Sequence, residues 1–161
     1  MQIIDPLLIS GLQQEAKNNP RLRKTHNFHT ESSDPLQRML NAIEPGSYVQ
    51  PHRHIDPVKR EMFIILKGRV VVFIFDDHGA ITHSVLLDAA QGNLGIEIMP
   101  HEWHSIVSLE PGSVVFEVKD GPYSVADDKW FAPWAPMPGT QEANSYLKSL
   151  EASLSSAGII S

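Results

Sequence analysis

The chain has 161 residues, enough for one domain with its own core, and it contains no cysteine, which excludes disulfides and thiolate metal sites. The formal charge is −6 and no basic stripe is visible, which argues against nucleic acid as the main partner. No signal peptide is visible at the N-terminus, and no apolar run approaches the roughly 18 residues needed to cross a bilayer, so a cytoplasmic protein with no membrane partner is expected.

Taken in order, Asp5-Pro6 followed by Leu7, Leu8, Leu12 and Ala16 predicts a short helix. The aspartate caps it, proline suits its first turn, and Asn18-Asn19-Pro20 ends it. Residues 20 to 35, with Arg21, Arg23, Lys24, His26 and His29, read as a solvated connector, a ligand-binding arm being the alternative.

From Leu36 to Lys119, short apolar or alternating runs are broken by turn signals such as Glu44-Pro-Gly46, Lys67-Gly68, Asp76-Asp-His-Gly79 and Glu110-Pro-Gly112. About eight strands at a spacing of roughly 8–12 residues predict an all-β sandwich or barrel, and the intervals are too short for crossover helices. Val70-Val-Val-Phe-Ile-Phe75 is apolar on both faces and is expected in a strand covered on both sides.

After Val118 the chain turns rich in proline and aromatics. Tyr123, Trp130, Phe131 and Trp134 are expected to wrap one face or edge of the sandwich. Thr140 to Ser155 predicts a helix with Ala143, Leu147, Leu150 and Leu154 on one face. One domain over residues 1–161 follows: a helix and arm to 35, a β core over 36–120, and a wrap and helix over 121–161.

Chemistry concentrates between Gly46 and Gly68. His52 and His54 lie two apart in a segment that reads as β, so both imidazoles face the same way, about 6.6 Å apart along the strand. Glu61 opens the next run and can lay a carboxylate beside them, and His104 is the candidate fourth ligand of a divalent-metal site. Tyr48 and Gln50 share the predicted face of His52, and Lys59 lies in the loop before Glu61. These three are candidate substrate-binding residues, with Tyr48 and Lys59 the candidates for proton transfer. Arg53 points the other way, Trp103 reads as packing, and His78 and His83 read as surface histidines. Glu117 alternates against Val114, Phe116 and Val118 and faces away from them, a pocket acid being the lesser alternative.

Gly46, five residues, His52-Arg-His54, then Glu61, six residues and Gly68 resembles the first signature of the cupin superfamily. Gly95-Ile-Glu-Ile-Met-Pro100-His-Glu-Trp-His104 resembles the second. The resemblance implies a small jelly-roll β-barrel with one divalent metal ion on His52, His54, Glu61 and His104. The sequence departs from the pattern twice. Six residues separate His54 from Glu61 where three or four are usual, and the second signature is one residue short before His104, which leaves His101 as an alternative ligand.

Within the superfamily the chain is similar to WbuC-like cupin metalloproteins, through Asn27-Phe-His29, Pro51-His-Arg-His54, Lys59-Arg-Glu-Met-Phe63, Glu117-Val-Lys-Asp-Gly-Pro-Tyr123 and Asp128-Lys-Trp-Phe-Ala-Pro-Trp-Ala-Pro136. That resemblance implies a small-molecule ligand related to a sugar or sugar nucleotide, in a surface-polysaccharide context, and the broader cupin resemblance implies a homodimer. Three imidazoles and one carboxylate suit Fe, Mn, Ni, Co or Zn and leave open positions for a substrate. Two readings follow: a metal-dependent enzyme, such as an isomerase or epimerase, lyase or oxygenase, or a non-catalytic module in which the metal anchors a ligand or the barrel.

Overall fold

The computed structural model describes residues 1–124, 129–156 and 158–159. Helix α1 (Pro6–Lys17) starts where the sequence places it: Asp5 accepts from the Leu8 N–H at 2.8 Å and Pro6 opens the first turn. Among the described residues ten strands follow: β1 (Arg23–Asn27), β2 (Leu36–Ile43), β3 (His52–Arg53), β4 (Glu61–Lys67), β5 (Arg69–Phe75), β6 (Ile81–Asp88), β7 (Gly95–Ile98), β8 (Trp103–Ser108), β9 (Ser113–Asp120) and β10 (Trp130–Phe131). Helix α2 (Gln141–Ser156) closes the chain and buries Ala143, Leu147, Leu150 and Leu154, the face its sequence predicts.

The strands form two antiparallel sheets, ordered β1-β2-β9-β4-β7 and β10-β3-β8-β5-β6, in the sandwich form of a cupin jelly roll. Alternation along each strand makes three apolar layers. Ile43, Phe63, Ile65 and Val115 of the first sheet meet Val70, Val72, Ile74 and Ile106 of the second between the sheets. Val71, Phe73 and Phe75 point out of the second sheet, beneath α2 and Ala132, Ala135 and Trp134. Leu40, Ala42 and Val114 point out of the first sheet, beneath Leu12 and Ala16 of α1. Strand β5 is thus covered on both faces, as its unbroken apolar run requires.

The stretch that reads as a connector contains β1, which pairs with β2 from Arg23↔Ile43 to Asn27↔Met39. Its polar side chains suit an edge strand, since only one of its edges is hydrogen-bonded. In the wrap, Trp134 packs against Phe75, Trp103 and Tyr146, with ring centroids 5.2, 6.2 and 6.4 Å apart. Trp130 and Phe131 extend the second sheet by pairing with β3, yet they stay 51% and 54% exposed. Among the described residues, no helix is long and apolar enough to cross a membrane.

The turn from β4 to β5 depends on Gly68. Its φ is +74°, and a Cβ there would lie 2.9 Å from the Ser113 Cα. Gly68→Ala is expected to lose about 1 kcal/mol to backbone strain and about 1–3 more to the clash. Gly139 also has a positive φ, +84°, but open space around it, so Gly139→Ala carries the strain alone. Urea denaturation of both variants checks this; equal losses would remove the steric argument.

Candidate metal centre and cavity

Each ligand candidate reaches the site by strand register. His52 on β3 stands directly opposite His104 on β8, with ring centroids 4.4 Å apart. His54 follows just past β3, its ring 5.3 Å from that of His52 and 5.6 Å from that of His104. Glu61 is the first residue of β4, in the facing sheet. The six-residue interval before it folds into a turn closed by an Ile55–Val58 bridge. That turn is fastened to β9, because the Arg60 backbone N–H and its guanidinium Nε both donate to Asp120 Oδ2 at 3.0 Å. The longer loop is therefore absorbed at the surface, and Glu61 keeps an inward position.

The four ligand atoms lie within 4.8 Å of one another. All four residues are 1–3% exposed. His52 Nδ1 donates to the Gln50 carbonyl at 2.9 Å and His104 Nδ1 to the Glu102 carbonyl at 3.0 Å. A carbonyl only accepts, so in both rings Nδ1 carries the proton and Nε2 presents a lone pair to the cluster. His104 Nε2 lies 2.8 Å from Glu61 Oε2, yet among the described residues neither of these atoms nor His52 Nε2 makes a hydrogen bond. Buried lone pairs converging on a carboxylate oxygen repel each other unless a cation stands among them, so the residues fit a divalent ion. His101, with φ +73°, is exposed and outside the cluster.

Burial holds the His52 imidazole well below its ordinary value, with Lys129 and His104 acting the same way. For Glu61, burial works to raise its value, but close contacts from His104 and His54 outweigh it, and the carboxyl ends well below the usual range. Its neighbour Glu117 moves the other way, held well above the carboxylate range by burial first and then by the charge of Glu61. Register brings these two together: Phe63 faces Glu117 and Glu61 faces Lys119, so the carboxyls are diagonal neighbours on the inner face. Asn41 Nδ2 donates to Glu117 Oε2 at 2.6 Å, and Lys119 Nζ lies 4.0 Å from its other oxygen.

His52, Glu61 and His104 line a cavity of about 460 Å³, together with apolar Phe63, Ile106 and Val115 and the polar side chains of Arg23, Asn41, Glu117 and Lys119. Tyr48, Gln50 and Lys59 are not among the described residues that line it. The Tyr48 hydroxyl donates to the Pro136 carbonyl at 2.9 Å in the layer beneath α2, and Gln50 Nε2 donates to the Ala135 carbonyl at 3.3 Å. Lys59 is buried with its ammonium on the Pro122 carbonyl.

Tyr48 and Gln50 would share the face of His52 only on a continuous strand, whereas the chain is irregular up to Pro51 and β3 begins at His52. Val49 and His52 both line the cavity, three residues apart, so the period of two is broken between them. Arg53 does point away, its guanidinium 4.1 Å over the Trp103 ring. Glu117, Asn41 and Arg23 are what sequence reasoning missed or ranked low. For Asn41 and Glu117 the available signal is a polar residue at an inward position of β2 or β9; Arg23, in a stretch that reads as a connector, carries none.

A cupin-fold sandwich closing over three histidines and a glutamate is the class these features define. The chain belongs to the family described as a domain of unknown function, DUF6016, whose model matches residues 4–87. That span holds His52, His54 and Glu61. No curated protein matches the chain.

Similar solved structures include the capsular polysaccharide assembling protein CapF from Staphylococcus aureus, at 19% identity and TM-score 0.56, covering 66% of this chain and 28% of CapF. The ligand-free L-ribose isomerase from Cellulomonas parahominis is similar at 16% identity and TM-score 0.54, over 76% of this chain and 71% of the isomerase. A cupin superfamily protein from Desulfitobacterium hafniense is similar at 15% identity and TM-score 0.48, over 61% of this chain and 76% of that one. The first two are likenesses of fold.

Proposed function

We propose that this protein is a metal-binding cupin, with His52, His54, Glu61 and His104 as ligands of one divalent ion, acting on a small polar molecule that enters the neighbouring cavity. The observation that carries this reading is the convergence of buried imidazole lone pairs on Glu61, with the Nδ1 atoms of His52 and His104 committed to backbone carbonyls. A divalent ion in such a cluster supplies Lewis-acid polarisation of a carbonyl or hydroxyl oxygen. Three neutral imidazoles and one carboxylate leave it with net positive charge and open positions.

The chain's own part is to orient the ligand and move a proton. We place Glu117 ahead of Tyr48 and Lys59 for proton transfer, because its carboxyl lines the cavity beside Glu61 and is held by Asn41. A carbohydrate-derived ligand is supported by the WbuC-like phrases of the sequence and by the mixed polar and apolar cavity wall, and a homodimer belongs to the same reading. Isomerase, lyase and oxygenase chemistries all fit such a site.

Equilibrium dialysis of chelator-treated protein against Mn, Fe, Co, Ni and Zn tests the reading. One ion per chain is expected, and none with any of the five would overturn it. The alternative, a metal that only holds the barrel together, predicts loss of the cooperative thermal transition on chelation. The three apolar layers, none of which includes the four ligand candidates, favour a fold that survives it.

A further inference from the structure

The chain as a whole is acidic, yet the cavity beside the metal cluster is not. Arg21, Arg23, Lys24, Lys119 and Lys129 line it, against the Glu61 carboxylate and a Glu117 carboxyl that burial and Glu61 hold toward its neutral form. Arg23 is the informative cation. It is the first residue of β1, opposite Ile43, and its side chain reaches to the start of the β2–β3 connection. Its hydrogen bonds run from Nη1 alone, to Ser47 Oγ at 3.2 Å and the Tyr48 carbonyl at 2.8 Å, and both acceptors are neutral.

Among the described residues no carboxylate pairs with Arg23, and its Nε and Nη2 donors make no hydrogen bond. Burial, and Arg21 beside it, both act against its charge. A half-buried guanidinium next to a second one, facing a cavity with most of its donor fork uncommitted, is stabilised by an incoming anion.

We propose that Arg23, with Arg21 beside it, forms an anion subsite that seats the carboxylate or phosphate of a polyhydroxylated small molecule whose other end faces the metal cluster. The inference rests on the cavity being the ligand site. Asn41, Gln37 and Thr25 on the same wall supply neutral partners suited to hydroxyl groups, while Phe63, Ile106 and Val115 supply apolar surface for a ring's carbon face.

Calorimetry with three probes tests it: glucose, glucuronate and glucose 6-phosphate, which share a ring and differ in charge. Each titration is run on the metal-loaded protein and again after dialysis against a chelator, so that binding of the anion by the ion itself is separated from binding by Arg23. At least one anion is expected to bind about tenfold or more tightly than glucose in both forms, a factor suited to charge-assisted hydrogen bonds. Which anion gains more distinguishes a carboxylate from a phosphate subsite.

Arg23→Met is expected to abolish the gain, and Arg23→Lys to keep part of it. Equal affinity for all three probes, no measurable binding of either anion, or a gain that vanishes on removing the metal would each overturn the subsite. So would a gain retained in a folded Arg23→Met protein. Metal stoichiometry, measured separately by dialysis, is unaffected by any of these outcomes, so the subsite and the metal centre stand or fall independently.

Discussion

Replacing His52 and His54 together with alanine is expected to take metal binding from one ion per chain to none at micromolar free metal. It removes two of three imidazoles from a four-ligand cluster, and the remaining His104 and Glu61 make an ordinary two-ligand contact. The loss has a second readout. In the unsubstituted protein, free metal at one hundred times its Kd stabilises the fold by about 2.7 kcal/mol. For a chain of this length that is a rise in Tm of roughly 5–10 °C.

The double variant should show no metal-dependent rise. His83→Ala, which alters an exposed histidine on β6, should keep both the stoichiometry and the rise. Retention of one tightly bound ion by the double variant would show that the metal sits elsewhere.

The pH dependence of the metal-free protein is the second large effect, and here two buried groups act in opposite directions. His52 is held well below its ordinary value of 6.5. Above that value its contribution is fully present. Below it, the unfolded chain takes up a proton that the folded protein refuses, so stability falls with falling pH by up to about 1.4 kcal/mol per unit. Glu117 is held above its ordinary value of 4.5, so from there upward the folded protein keeps a proton that the unfolded chain has lost. Its contribution is present at low pH and fades as pH rises.

Between about pH 5 and 6.5 the two slopes offset each other. Glu61, held low, adds stability that is intact above 4.5 and lost only in more acid solution. Glu117→Gln should therefore expose the His52 slope, steepening the acid loss by up to about 1.4 kcal/mol per unit. His52→Gln should tilt stability the other way. Urea denaturation with chelator present at pH 5.0, 5.5, 6.0 and 6.5 measures both. Parallel curves for Glu117→Gln and the unsubstituted protein would sink the account.

Much of this molecule is legible along the chain because the signals are local. A capping aspartate before proline, glycine-bearing turns at short intervals and an apolar run covered on two sides each report the environment of a few residues. Helix α2 shows the same for a period of 3.6: its four buried residues are those of its predicted apolar face. The candidate ligands are legible for a different reason. Histidines two apart and a glutamate at the head of the next strand form a spacing pattern that resembles a known signature, and that signature also supplies His104.

What only the tertiary structure decided is the composition of the cavity wall. Arg23 lies on a segment that reads as a connector, and only its pairing with β2 makes it a strand facing the site. Glu117 alternates correctly in the sequence, but whether the face opposite Val114 meets solvent or a cavity depends on the second sheet lying across from it. Tyr48 and Gln50 illustrate the converse: a period of two holds only within a hydrogen-bonded ladder, and the chain joins that ladder at His52. Local patterning determines which residues can form each strand and helix. Which polar side chains end up together is set by long-range pairing between sheets, and no periodicity within a segment encodes that.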